Sequence, residues 1–300
     1  MKTLTFGKNR CDLIEGSAPA PGAGQVLIRL RGTILDETHL ADYRSGELQA
    51  PYLVSAVVLQ PGAGVIDFRR GQPVVTVVAQ PLSQYLVVSK ELLIPVEQDR
   101  GANCMFVGIA LASRAVRYAE KYPESTVIGG AGFVGLTLSA LLETTTPWFF
   151  GTSDQALMCA QDLGAAHYKE WDQVAEDLQR DERDEKGYGA VLIETTGRLQ
   201  ERQLSQFLTL KGGTVVCATP PGAGSEVLDI DAYRIHYDQI TWVALGPCQK
   251  EDVEGATAHL DQIPDTLITD QLAFDQVEHA FEELDAERAI CFLLTDDAEL

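Results

Sequence analysis

The sequence predicts an α/β protein in two parts: an antiparallel, strand-rich first third, then a doubly wound parallel sheet. Up to about Asp99, the alternating runs GQVLIRLRG, PVVTVVA and QYLVVSKELLIPV are separated by the turn sequences PAPGAG, QPGAG and RRGQP. Short alternating runs between turns are typical of antiparallel strands in a barrel or sandwich. After a helical stretch between Gly101 and Tyr122, strand-like runs alternate with helical patterns, which indicates a doubly wound sheet with helices on both faces.

The composition disfavours several classes of protein. The chain carries 23 basic and 44 acidic residues, a net charge of −21, which repels nucleic acid and anionic membranes. No apolar run approaches the roughly 18 residues of a membrane helix, and the first residues do not resemble a signal peptide. The six cysteines are scattered without a CxxC pair, which argues against a disulfide scaffold and a structural zinc lobe. We expect a soluble, cytoplasmic protein that acts on a small molecule, with no nucleic acid or membrane partner.

A glycine turn follows the first strand of the second part. Gly130, Gly132 and Gly135 form G-x-G-x-x-G between the strand TVIGG and a predicted helix, with Phe133 and Val134 inside the motif. The first glycine permits the tight turn, the second allows close approach to a pyrophosphate, and the third lets the helix pack on the strand. The helix N-terminus also offers free N–H groups to phosphate. This arrangement predicts a dinucleotide site, and a purely structural turn is the alternative.

The end of the next strand, PWFF, indicates which dinucleotide would bind. NAD sites usually have an acidic residue here, whereas this chain has Gly151, Thr152 and Ser153. An acid would repel a 2′-phosphate, while a glycine and two hydroxyls leave room and can donate hydrogen bonds. NADP(H) is therefore predicted over NAD(H). No arginine follows at once to pair the phosphate, and Asp154 would take the ribose role if the strand ended one turn later.

The order of these segments resembles that of the medium-chain dehydrogenase/reductase superfamily, which includes zinc alcohol dehydrogenases and quinone oxidoreductases. The matching stretches are VIGGAGFVGLTLSALLE, ALMCAQDLGAAHYKEWDQ, AVLIETTGRLQERQLSQFLTLKGGTVVCATPPG and LAFDQVEHAFEELDAERAICFLL, with GQPVV and SQYLVV in the first part. The resemblance implies a shortened GroES-like β-barrel domain (residues 1–110, completed by 265–300) and a Rossmann domain (residues 111–264), with the active site between them. It also implies a homodimer that pairs through an edge strand near residues 239–246.

The resemblance implies further cofactor contacts after the later strands of the Rossmann domain. They are backbone-type contacts to the nicotinamide side of the cofactor, at Thr196, Gly197, Ala218, Thr219, Leu245 and Gly246.

The metal positions of the zinc enzymes are not filled by good ligands. The usual cysteine falls on Asp36 or its neighbour Glu37, and the Gly-His-Glu position falls near residues 55–57, Ser-Ala-Val. The four-cysteine lobe is missing as well. Cys104 lies near another ligand position, and Asp36 and His39 could complete a three-ligand site with it. We expect instead that Cys104 is a small buried side chain and that the protein is zinc-independent and quinone oxidoreductase-like.

Without a metal, a side chain must polarise the carbonyl or supply a proton. The run DETH offers Asp36, Thr38 and His39, and Tyr43 is a further donor. The resemblance places Thr38 near the hydroxyl that relays protons in alcohol dehydrogenases, and histidine can act as a general acid near neutral pH. The alternative for each is a structural or solvated residue.

Together these features predict a zinc-independent, NADPH-preferring oxidoreductase that moves hydride between nicotinamide and a carbonyl or activated C=C bond. Two alternatives remain at this point. The first is a catalytically inactive relative that acts as a binding or scaffolding protein, and the second is a redox-neutral enzyme that retains the cofactor.

Overall fold

The structure, a computed structural model, describes residues 1–47, 50–180, 187–222 and 227–295, with only the backbone of residues 179 and 180. It contains an antiparallel sheet and a separate parallel sheet with flanking helices. The predicted fold class, a Rossmann-type doubly wound sheet with a GroES-like barrel, is confirmed.

The first part is rich in antiparallel strands, as the alternating runs predict. Its elements are β1 (Lys2–Gly7), β2 (Arg10–Glu15), β3 (Gln25–Asp36), α1 (Glu37–Ser45), β4 (Tyr52–Pro61), β5 (Pro73–Val78), β6 (Tyr85–Ser89), β7 (Ile94–Pro95) and α2 (Cys104–Ala119).

The second part alternates strands and helices before the chain returns to the first sheet. Its elements are β8 (Thr126–Gly129), α3 (Phe133–Leu141), β9 (Trp148–Gly151), α4 (Asp154–Asp162), β10 (His167–Glu170), α5 (Trp171–Arg180), β11 (Gly189–Glu194), α6 (Leu199–Leu208), β12 (Thr209–Cys217), α7 (Ala232–His236), β13 (Thr241–Ala244) and α8 (Lys250–Ala256). The closing elements are β14 (Asp270–Ala273), α9 (Val277–Asp285) and β15 (Cys291–Thr295).

The strand order of the parallel sheet matches that of dinucleotide-binding folds, in which the binding turns follow the carboxyl ends of the strands. The parallel strands lie in the order β10-β9-β8-β11-β12-β13, which is the 3-2-1-4-5-6 order of dinucleotide-binding folds. The antiparallel sheet has the order β14-β15-β3-β4-β5-β7, and β6 also pairs with β3. Because β15 pairs with β3, Cys291 lies opposite Asp36, the last residue of β3.

Helix α2 joins the two sheets through a shared core. Ile109 and Leu111 of α2 are fully buried in a cluster that also contains Ile34 of β3 and Ile128 of β8. The antiparallel strands β3 and β4 and the parallel strands β8 and β11 therefore pack on the same helix. This packing brings the end of β3 close to the turn after β8.

Helix α1 begins directly where β3 ends, with the last three residues of the DETH run. The Asp36 carboxylate accepts the Thr38 amide at 3.0 Å, and the Asp36 amide donates to Nδ1 of His39, which forms a reciprocal cap. At the other end, Gly46 adopts φ 80° and closes the helix. The DETH run is thus the first turn of a helix. Within the described residues, no helix is both long and apolar enough to cross a membrane.

Candidate functional site

The glycine turn has the tight geometry that its sequence predicts. Gly130 adopts φ 125°, which favours glycine, and its amide donates to the Phe150 carbonyl at 2.8 Å. A Cβ on Gly135 would lie only 1.9 Å from the Gly130 carbonyl oxygen. The third glycine therefore permits close packing of α3 against the end of β8.

Two carboxylates of the protein itself lie in this turn. The Phe133 amide donates to Oδ2 of Asp36 at 2.6 Å, and the Ala131 amide donates to Oε1 of Glu37 at 2.7 Å. A Cβ on Gly132 would lie 2.6 Å from Asp36 Oδ2, so the glycine makes room for that carboxylate. Amides at this kind of helix N-terminus are the donors that bind phosphate in dinucleotide folds. Here the amides of Ala131 and Phe133 already donate to carboxyl groups of the chain itself.

The Glu37 carboxylate also reaches the end of β9. Its Oε2 accepts the amide of Thr152 at 2.9 Å and the amide of Ser153 at 3.2 Å. A Cβ on Gly151 would lie 3.0 Å from the same oxygen. The Ser153 hydroxyl is used differently, because it accepts the Ala156 amide and caps α4. The three predicted 2′-phosphate residues therefore lie beside the glycine turn, with Glu37 between them and the turn.

Burial affects the two carboxylates in different ways. Glu37 is 2% exposed, and burial raises its pKa to about 7, although its three amide donors oppose this and the charge of Asp36 adds to it. For Asp36, burial also acts to raise the pKa, but the contacts with His39, Thr38 and the Phe133 amide outweigh it and lower the pKa. Asp36 therefore holds the negative charge, and Glu37 exchanges its proton near neutral pH.

Three of the predicted catalytic residues form one hydrogen-bonded group. The Thr38 hydroxyl donates to Oδ1 of Asp36 at 2.5 Å, and Nδ1 of His39 lies 3.1 Å from the same oxygen. The other ring nitrogen of His39, Nε2, lies 3.2 Å from the Pro51 carbonyl, and the ring stacks on Tyr52. The group lines a cavity of about 20 Å³, which has room for about one water molecule.

Tyr43, the fourth predicted donor, lies away from this group. Its ring stacks on Phe281 of α9 with a centroid distance of 5.0 Å, and burial raises its pKa. It does not line the small cavity.

The residues predicted to contact the cofactor after β11, β12 and β13 lie at the carboxyl ends of the parallel strands, as the glycine turn does. Oε1 of Glu194 accepts the amides of Thr196 at 2.6 Å and Gly197 at 2.7 Å, and its other oxygen pairs with Arg202. Of the remaining predicted residues, Ala218 donates its amide to the Glu194 carbonyl, and the carbonyls of Leu245 and Gly246 accept from Arg114. The hydroxyl of Thr219 is buried without a hydrogen-bond partner in the described part of the chain, and Thr219 lines the small cavity, as does Val134.

A polar cavity that the sequence does not predict lies beside Thr152. This cavity of about 470 Å³ is lined by three basic residues, Lys8, Arg44 and Arg198, and by the acidic residues Glu170, Asp172 and Glu201. Nη1 of Arg44 lies 3.4 Å from the Thr152 carbonyl, and its Nε pairs with Asp285 at 2.7 Å. An arginine is thus present near the predicted 2′-phosphate residues. No local signal could reveal it, because it comes from α1 and not from the segment after β9.

A larger, mainly apolar cavity adjoins the small one. It has a volume of about 700 Å³ and shares Val77, Thr219 and Pro220 with the small cavity. Its other walls include Ile94 of β7 and Trp242 of β13. The cavity therefore lies between the two sheets, next to the Asp36–Thr38–His39 group.

The residues at the positions of the zinc ligands in the zinc enzymes make structural contacts here. The Ser55 hydroxyl donates to the Gly101 carbonyl at 2.6 Å, and Ala56 and Val57 lie within β4. Cys104 is fully buried, and burial raises its thiol pKa to about 12. In residues 1–47, 50–180, 187–222 and 227–295, no three or more His, Cys, Asp or Glu side chains are grouped to hold a metal ion. The alternative site of Asp36, His39 and Cys104 is therefore not formed in this arrangement.

Comparison with solved structures identifies the fold. No protein-family model and no curated protein matches the sequence. The chain resembles glucose dehydrogenase of Haloferax mediterranei, solved with NADP, zinc and gluconolactone (17% identity, 99% of this chain and 100% of the other, TM-score 0.61). It also resembles an alcohol dehydrogenase of Thermus sp. ATN1 (16%, 98% and 99%, TM-score 0.61) and galactitol-1-phosphate dehydrogenase of Escherichia coli (16%, 98% and 100%, TM-score 0.60).

The chain has the fold of these medium-chain, zinc-type dehydrogenases. The likeness extends over nearly the whole length of both chains, so the barrel and the Rossmann sheet are both present. At these identities the likeness concerns the fold, and the chemistry has to be argued from the residues of this chain.

Proposed function

We propose that this protein is a dinucleotide-dependent oxidoreductase that prefers NADP(H) and needs no zinc. The observation that carries the proposal is the glycine turn of Gly130, Gly132 and Gly135, placed between β8 and α3 in a sheet of dinucleotide-binding order. The dehydrogenase fold of the solved neighbours supports the same function class, and one of those neighbours was solved with NADP.

The residues present suit a dinucleotide with a 2′-phosphate, provided that the carboxylates of Asp36 and Glu37 leave the turn. The amides of Ala131 and Phe133 would then hold the pyrophosphate, and the cavity beside Thr152 would hold the adenosine end, with Arg44 and Lys8 as cations. When bound, the nicotinamide supplies or accepts the hydride.

The protein would supply the proton and the substrate pocket. Thr38 and His39 line the small cavity with Asp36, so a proton on this group is next to the larger apolar cavity. That cavity favours an uncharged carbonyl compound or enone with a bulky apolar part as the substrate. The Thr219 hydroxyl, which has no hydrogen-bond partner among the described residues, would offer a polar contact to such a substrate.

A second candidate function is a binding or scaffolding role without dinucleotide. The occupation of the Ala131, Phe133, Thr152 and Ser153 amides by Asp36 and Glu37 favours it, because these donors are already satisfied. The glycine turn favours the oxidoreductase. Binding measurements separate the two.

The first experiment is titration of the metal-stripped protein with NADPH and NADH, followed by nicotinamide fluorescence and thermal shift. We expect saturable binding of both, with NADPH bound more tightly. Oxidation of bound NADPH is then tested with enones, quinones and aldehydes by loss of nicotinamide absorbance.

The role of Arg44 is tested in the same assay. Arg44→Ala should weaken NADPH binding about tenfold and leave NADH binding nearly unchanged, because only NADPH carries the 2′-phosphate. Arg117→Ala removes an exposed arginine of α2 and is the matched control. Equal losses for both dinucleotides would contradict the 2′-phosphate role. If neither dinucleotide binds to the wild type or to variants that lack the Glu37 carboxylate, the scaffolding role would remain.

A further inference from the structure

We propose that Glu37, together with Asp36, is a built-in competitor of the dinucleotide, whose phosphates can bind only when these two carboxylates leave the glycine turn. This inference rests on the proposed function and concerns the regulation of the same site. It assigns to the DETH run a role in cofactor access in addition to the predicted proton donation.

The first argument is the use of the same donors. Each backbone amide has one hydrogen, and those of Ala131 and Phe133 point to Glu37 and Asp36 at 2.7 and 2.6 Å. The helix N-terminus attracts any anion, so an internal carboxylate and an external phosphate compete for it. A pyrophosphate placed beside these carboxylates would also be repelled by their charge.

The second argument is the reach of Glu37. The Glu37 carboxylate accepts hydrogen bonds from the Ala131 amide in the glycine turn and from the amides of Thr152 and Ser153 at the end of β9. These are the two places where the pyrophosphate and the 2′-phosphoribose would lie. A single carboxylate therefore blocks both anionic parts of the dinucleotide.

The third argument is that the carboxylates and the turn belong to different sheets. Glu37 begins α1, which continues directly from β3 of the antiparallel sheet, whereas the turn follows β8 of the parallel sheet. Widening the cleft between the sheets would withdraw both carboxylates from the turn at once. At this junction the structure leaves a cavity of only about 20 Å³, so the two sheets are in close contact beside the turn.

The fourth argument is that the hydrogen bonds between the Glu37 carboxylate and the turn can be broken at a modest cost in free energy. Among the described residues, the hydrogen-bond donors to the Glu37 carboxylate are backbone amides, with no cation. A buried carboxylate without a cation loses much of its hydration energy and regains it when the cleft opens to water. This lowers the cost of exchanging Glu37 for a phosphate that the turn can hold.

The test is a titration of the full chain with NADPH in three variants. Glu37→Ala removes the competing carboxylate, Glu37→Gln keeps its volume but not its charge, and Glu124→Gln makes the same charge change at an exposed residue before β8. We expect both Glu37 variants to bind NADPH about tenfold more tightly than the wild type or more, and Glu124→Gln to bind like the wild type.

A second readout does not depend on the cofactor. Hydrogen exchange of the ligand-free protein should show protected amides at Ala131, Thr152 and Ser153 in the wild type and faster exchange of all three in Glu37→Ala. Glu37→Gln keeps one acceptor oxygen and should give exchange rates between those of the wild type and Glu37→Ala. The Phe133 amide, held by Asp36, should stay protected. Circular dichroism will show whether the variants are folded. If Glu37→Ala is unfolded, Glu37→Gln is used for the comparison with the wild type.

The outcomes separate the inference from the function. Equal NADPH affinity in the wild type and both Glu37 variants, or unchanged amide exchange, overturns the competition and leaves the oxidoreductase proposal standing. No NADPH binding by any variant, with exchange changed as expected, overturns the proposed function and the inference that rests on it.

Discussion

At the scale of single residues, the Glu37 carboxylate has the largest effect on the site. The sequence marks DETH as a dense group of candidate catalytic residues, and Asp36, Thr38 and His39 do form one network at the cleft. The contact between Glu37 and the glycine turn could not be predicted, because it joins residues 94 positions apart through the packing of two sheets. Tyr43 has the right chemistry for a donor, but on α1 it points toward α9, and no local pattern reveals that direction.

The raised pKa of Glu37 predicts a pH dependence of stability. Its pKa is about 7 when folded and about 4.5 otherwise, so the folded state favours the neutral acid. The stabilisation is therefore fully present below about pH 4.5 and is lost as the pH rises through 7. One pKa unit corresponds to about 1.4 kcal/mol, so the difference between the folded and unfolded pKa of Glu37 amounts to about 3 kcal/mol of unfolding free energy.

Thermal unfolding of the wild type and Glu37→Gln between pH 5 and 8 measures this effect. Asp36 stays ionised over that range because its pKa is lowered, so it does not obscure the comparison. The wild type should lose stability relative to Glu37→Gln as the pH rises. Parallel pH profiles would contradict the raised pKa.

At the scale of elements, the alternation of runs predicts most of the strands and helices. The parallel strands β8, β9, β11, β12 and β13 appear where TVIGG, PWFF, AVLIETTG, TVVCATP and ITWVALG predict them. Helix α1 is the exception, because its mixed composition lacks a clear apolar stripe and its start depends on the cap formed by Asp36 and His39. Capping of this kind stabilises a helix by about 1 kcal/mol, which a periodicity argument does not detect.

We also propose that the edge strand β13 pairs with a second copy of the chain. β13 ends the parallel sheet, and its residues Thr241 and Ala244 are exposed. An unprotected edge with apolar neighbours is suited to continuing a sheet across a two-fold axis.

Lysines on this edge should separate the copies. The double variant Thr241→Lys, Ala244→Lys should shift the mass in sedimentation from a dimer to a monomer without unfolding, since both side chains are exposed. Met158→Lys, on α4 at the far side of the sheet, is the control and should stay dimeric. A wild-type monomer, or a dimeric double variant, would show that β13 does not form the interface.

At the scale of the whole molecule, the two sheets share one core through α2. The sequence predicts two parts and the cleft between them, because turn chemistry and strand spacing differ between the two. It does not predict how closely the two sheets approach each other, since that depends on a buried cluster that joins residues far apart in the sequence, such as Ile34, Ile109 and Ile128.

A shared core predicts that the protein unfolds in one step. Ile109→Ala removes buried methyl and methylene groups between the sheets and should cost about 2–5 kcal/mol of unfolding free energy. Calorimetry and tryptophan fluorescence should report one transition, shifted to lower temperature in the variant. Met158→Ala changes an exposed residue and should leave the transition temperature unchanged. Two separate transitions in the wild type would contradict the shared core.

The packing around Gly132 also bears on how the glycine turn is interpreted. A Cβ at this position would collide with Asp36 and with the methyl group of Thr38, at 2.6 and 2.9 Å. A side chain at residue 132 would therefore have to displace Asp36 or Thr38, whether or not a nucleotide bound there. Gly132 therefore serves the folded chain as well as the proposed dinucleotide site, and a binding experiment distinguishes these two roles.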